Sequence, residues 1–129
     1  MAASETILLQ LNSQEEARFW AKVQKALASS DDLRRPQWRG DPNPLAGHCY
    51  VASEALFHLM GGKAAGLTPH TVRVDGVVHW FLRTASGRIV DPTASQFEQE
   101  VPYHLSRGRG FLTRGPSKRA RTLMGRMSV

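Results

Sequence analysis

The segment that most constrains this chain is Thr71-Val72-Arg73-Val74, Asp75-Gly76, Val77-Val78-His79-Trp80-Phe81-Leu82. Two runs rich in β-branched and aromatic residues flank an Asp-Gly pair, which tolerates the positive φ angles of a two-residue turn. An antiparallel hairpin is therefore predicted. Ser86-Gly87 marks a second turn, and Arg88-Ile89-Val90-Asp91 reads as a third short strand that Pro92 ends. The expected sheet is a small antiparallel meander.

Helical patterns precede it. Ser13-Gln14-Glu15-Glu16 has the form of a capping box, and Trp20, Val23 and Leu27 recur at helical spacing, which predicts a helix from about residue 14 to about 28. Pro36, Gly40, Pro42 and Pro44 then impose a long loop, anchored to the core through Trp38 and Leu45. A second helix is expected from Cys49, with Ala52, Leu56, Leu59 and Met60 on one side and Gly61-Gly62 as its stop. After a stretch broken by Gly108, Gly110, Gly115 and Pro116, Ser117 is placed to cap a short helix carrying Ala120, Leu123, Met124 and Met127. The fold class is α+β, one domain over residues 1–129, with N-terminal helices packed on the sheet.

A hydrophobic fraction of 41%, with three Trp and five Phe, suffices for one core. No run approaches the ~20 apolar residues of a membrane span, and residues 1–11 lack the basic start of a signal peptide. A single cysteine permits no intramolecular disulfide and suits a reducing compartment, so the expected location is the cytoplasm. The net charge of +6 is uneven: seven Lys and Arg lie from Arg107 onward, with no Asp or Glu after Glu100. Such a basic end serves either as a solvated face or as a contact for an anionic partner, nucleic acid or an acidic polymer.

Three residues can carry chemistry together. Cysteine attacks acyl carbon as thiolate, which a helix N-terminus and a neighbouring imidazolium both favour. Cys49 lies in the first turn of a helix, behind a Gly47 that leaves room for a substrate carbonyl near the Cys49 amide. His79 is the candidate base, on a strand face shared with Val77 and Phe81, and Asp91 is the candidate orienter. Strand parity decides whether they meet. A hairpin loop with an odd number of residues puts positions 79 and 91 on one face, and Gly87 in a left-handed conformation would permit a three-residue loop; a two-residue loop would separate them. A zinc site built on Cys49 with His48, His58, His70, His79 or His104 has the ligand types without the spacing, since no Cys-x-x-Cys or His-x-x-x-His pair occurs. No metal or cofactor is expected.

The segments Gly47-His48-Cys49-Tyr50-Val51-Ala52, His79-Trp80-Phe81-Leu82 and Gly87-Arg88-Ile89-Val90-Asp91-Pro92-Thr93 resemble the transglutaminase-like core. A closer resemblance is to the small YunG-like proteins of bacteria and phages. It rests on Gly47-His48-Cys49, on His79-Trp80, on the ending Asp91-Pro92-Thr93-Ala94-Ser95-Gln96-Phe97, and on Ser117-Lys118-Arg119-Ala120 with Leu123-Met124, over roughly residues 38 to 127. The resemblance implies a papain-like fold with a Cys-His-Asp triad and leaves the substrate open.

Two departures shape the expected site. His48 stands where Gln is common in the group, so the second oxyanion donor is sought in Gln37, Asn43 or His48 itself. Trp80 follows His79 directly, which places it on the opposite face, as core rather than substrate wall. The function these parts imply is thiol hydrolysis or acyl transfer at an amide through a thioester, on a macromolecular or acidic substrate. The alternatives are a non-catalytic module of the same fold, and a basic nucleic-acid-binding protein that stacks bases on Phe111 among Arg107, Arg109 and Arg114.

Overall fold

The computed structural model describes residues 13–43, 45–111 and 113–127. Helix α1, Ser13–Ala28, covers the predicted helix, while the side chains of its capping box, like residues 1–12, lie outside the described residues. Strands β1, Thr68–Val74, and β2, Val77–Arg83, form the expected hairpin with Val74 opposite Val77 and Val72 opposite His79. Its turn residues Asp75 and Gly76 both take positive φ, 51° and 78°, the conformation an Asp-Gly pair is suited to.

The second hairpin settles the parity. Thr84 N–H donates to Arg88 O at 2.9 Å, so Ala85-Ser86-Gly87 forms a three-residue loop, with Gly87 at φ 91°. Leu82 then faces Val90 on β3, Ile89–Val90, and odd-numbered residues of both strands share one face. The strand is shorter than predicted, and Asp91 lies just beyond it. One pairing was not expected: β4, Arg107–Gly108, runs antiparallel to β1 in a segment whose glycines read as loop, and the sheet order is β3-β2-β1-β4.

Alternation along β2 divides the interior in two. Leu82 and Val90 join Leu27, Val51, Ala55, Leu56 and Leu123 in the main core. On the other face Phe81, Val72, Val74 and Val101 form a second cluster, against which Phe97 and Tyr103 pack. Helix α2, Cys49–Leu59, packs on both β2 and the C-terminal helix α3, Lys118–Met127, whereas α1 packs on α3. The described residues are thus α+β, with a small antiparallel sheet, and α1 leans on α3.

Buried polar groups hold these parts in place. Glu54, buried on α2, accepts from Ser117 N–H and from Ser117 Oγ, both at 2.8 Å, and Ser117 Oγ in turn accepts from Ala120 N–H at 3.2 Å. The cap expected at Ser117 is therefore tied to a carboxylate that neutralises the positive end of α3. In the long loop, buried Arg34 donates to the carbonyls of Asn43 and Ala46 at 3.0 Å and of Asp41 at 3.3 Å. Its Nε lies 3.0 Å from Asp31 Oδ1, an ion-pair distance without hydrogen-bond alignment. Arg34 thereby gathers the loop that delivers the chain to Cys49.

Candidate active site

Cys49 is the first residue of α2 and is partly exposed, with its Sγ 3.9 Å from the carbonyl oxygen of Val78. Free amides at a helix start carry partial positive charge, and here no side chain caps them. Gly47, just upstream, has φ 79°, and a Cβ there would lie 2.4 Å from Trp38 Cγ, so only glycine lets Trp38 close over this approach.

Val78 precedes His79, whose ring is wholly buried. His79 Nε2 meets Asp91 Oδ2 at 2.7 Å. The same Oδ2 accepts from Tyr103 OH at 2.8 Å, and Asp91 Oδ1 accepts from Thr93 N–H at 3.3 Å. Burial pulls the His79 pKa down, but the hydrogen bond to Asp91, then the influence of the nearby Cys49 thiol and the Asp91 charge, overcome it and raise the pKa to about 9. The Tyr103 phenol is pushed up by burial and by the Asp91 charge, so it stays a donor. In the neutral ring a proton on Nε2 goes to Asp91, leaving Nδ1 as acceptor; Gln96 Nε2 donates to it at 3.1 Å.

Cys49 opens into a cleft of about 310 Å³ walled by Trp38, Tyr50, Val78, Trp80 and Gln96. The structure joins His79 to Asp91 directly and sets the Cys49 thiol against the carbonyl of Val78, the residue before His79. Of the three candidate oxyanion donors, Gln37 lines the cleft, and the other two do not. Asn43 is spent on structure: its Nδ2 donates to Gln96 O at 3.0 Å and its Oδ1 accepts from Leu45 N–H at 3.1 Å. The His48 ring is turned into the interior, where neither nitrogen has a hydrogen-bond partner. Burial, then the charges of Arg34 and Arg119, push its pKa down to about 4 against the opposing charge of Asp31.

Two further expectations are corrected. Trp80 lies on the face opposite His79, yet it lines the cleft, because β3 pairs only with Leu82 and Arg83 and leaves β2 open at Trp80. Phe111 is half-buried, stacked on Trp80 at 5.7 Å and edge-on to Tyr50 and Phe57, so its ring belongs to an aromatic cluster rather than to a free stacking platform. Gln96 and Tyr103 were given no role by the sequence. Gln96 stood within the quoted motif, and Tyr103 carried no signal, since it arrives from a 3₁₀ turn, Tyr103–Leu105.

The geometry can hold a thiolate and imidazolium side by side, with the imidazolium oriented by a carboxylate and the Cys49 amide free to receive an oxyanion. Among the described residues no group of three or more His, Cys, Asp or Glu is arranged to hold a metal, and no helix is long and apolar enough to cross a membrane. No curated protein and no solved structure matches the chain. The family model described as YunG protein matches residues 17–122, and the chain accordingly belongs to the YunG family.

Proposed function

We propose that this protein is a thiol enzyme of papain-like, transglutaminase-like architecture acting on amide bonds, with Cys49 as nucleophile, His79 as acid and base, and Asp91 as orienter. The observation that carries the reading is the His79 Nε2 to Asp91 Oδ2 contact of 2.7 Å, which holds the ring beside a thiol at a helix N-terminus. The Cys49 thiolate forms an S–C bond to the carbonyl carbon, and the negative charge moves to the carbonyl oxygen, received by the Cys49 amide and by Gln37 from the cleft wall. Collapse breaks the C–N bond as His79 passes its proton to the leaving amine. Water or a second amine then attacks the thioester, giving its proton back to His79 and releasing the thiolate. Water as acceptor makes a hydrolase; an amine makes an acyltransferase. A nucleophilic free thiol persists in a reducing compartment, and we place the protein in the cytoplasm.

The test is the pH dependence of Cys49 alkylation by iodoacetamide, read by mass spectrometry in the native protein, His79→Ala and Asp91→Asn. Rapid alkylation already at neutral pH, slowed at least about tenfold in His79→Ala, is expected. An unreactive thiol, or a profile that ignores His79, would mean a structural cysteine.

A further inference from the structure

The cleft carries two further features beside its candidate catalytic residues. One is a strand edge. Because the hairpin turn is two residues long, Val77, His79 and Phe81 direct their backbone N–H and C=O groups towards β1, and those of Val78 and Trp80 point the opposite way. Among the described residues no strand pairs with that edge at Val78 or Trp80, since β3 reaches only Leu82 and Arg83. The 3.9 Å approach of Val78 O to Cys49 Sγ shows this edge turned to the thiol. Val77 and Val78 are exposed there, and both line the cleft.

The other feature is charge. Arg35 and Arg119 line the same cleft, and among the described residues no Asp or Glu does. Arg119 is partly buried in the first turn of α3, a turn that holds no acidic residue of its own. Its Nη1 donates to Leu33 O at 2.7 Å, but no carboxylate pairs with it or with Arg35 among the described residues. The Glu54 carboxylate, whose charge reaches Arg119, is committed to Ser117. Burial, then the neighbouring Arg35 charge, lower the Arg119 pKa, as two close guanidinium groups without an anion require.

Resting on the thiol-enzyme reading, the geometry points to the substrate class: an extended polypeptide that pairs with the β2 edge at Val78 and Trp80 and presents an acidic side chain, close to the reacting amide, to Arg119 and Arg35. A strand added to an open edge takes its affinity from backbone hydrogen bonds, and an arginine fork reads a carboxylate through two parallel N–H donors.

The test uses an isotope-labelled Cys49→Ala variant, which binds without turnover, titrated by NMR with acetyl-AEVEA-amide and its Gln and Lys counterparts to about 5 mM, enough for weak binding. The Val78 and Trp80 amides are expected to shift, with the Glu peptide binding at least about tenfold tighter than the other two. Adding Arg119→Gln or the exposed Arg35→Gln should erase that preference, and the Arg35 variant suffices if the other fails to fold. No shift at Val78 and Trp80, or equal binding of the three peptides, overturns the proposal. Because the binding titration does not depend on a reactive thiol, an ordinary alkylation profile together with selective binding would sink the catalytic reading and leave the peptide groove standing.

Discussion

Asp91 is the most heavily used side chain of the candidate site. One of its oxygens takes both the His79 ring and the Tyr103 hydroxyl, and the other takes Thr93 N–H. A carboxylate with this many donors is fixed in position, which fixes the ring in turn. Tyr103 acts on Asp91 rather than on the thiol. Tyr103→Phe is therefore expected to lower stability by about 1 kcal/mol in urea unfolding, the size of one lost hydrogen bond, while neutral-pH alkylation of Cys49 changes little. A large loss of thiol reactivity in that variant would mean that the phenol contributes directly to the chemistry. Cys49, His79 and Asp91 were all legible as residues in the sequence. Gln96 was not, because a side-chain amide reveals its partner only once the chain around it is folded.

At the scale of elements, the loop before α2 governs where the thiol stands. Arg34 draws in the carbonyls of Asp41, Asn43 and Ala46, and Trp38 closes against Gly47. Gly47→Ala demands both a left-handed alanine and a Cβ inside the Trp38 contact. It is predicted to cost at least about 2 kcal/mol in urea unfolding and to slow alkylation of Cys49. Full stability in that variant would show that Trp38 moves away freely. The hairpin was legible because Asp75-Gly76 encodes its own turn. β4 was not, because Arg107–Gly108 has no strand propensity of its own and is recruited by the edge of β1.

Across the whole molecule, two buried histidines titrate in opposite directions. His79, raised to about 9, keeps its proton in the folded state after the unfolded chain has lost it near pH ~6.5, so stability falls as pH rises from ~6.5 through 9. His48, lowered to about 4, stays neutral while the unfolded chain takes up a proton, so stability also falls as pH drops from ~6.5 through 4. Each limb has a slope of up to about 1.4 kcal/mol per pH unit from its histidine. Urea unfolding across this range should show greatest stability near pH ~6.5. A midpoint that kept rising beyond pH ~8 would contradict a protonated His79 in the folded protein.

Local chemistry in the sequence determined the hairpin, the helix starting at Cys49 and the cap at Ser117, since each depends on residues near one another in the chain. Tertiary structure decided the rest. Whether His79 could reach Asp91 depended on the three-residue loop from Ala85 to Gly87, which sequence permitted without requiring. Whether Trp80 was core or cleft wall depended on where β3 stopped, and whether His48 or Gln37 lined the cleft depended on how Trp38 and Arg34 folded the loop. Periodicity assigns a side chain to a face, but what covers that face is set by parts of the chain many residues away.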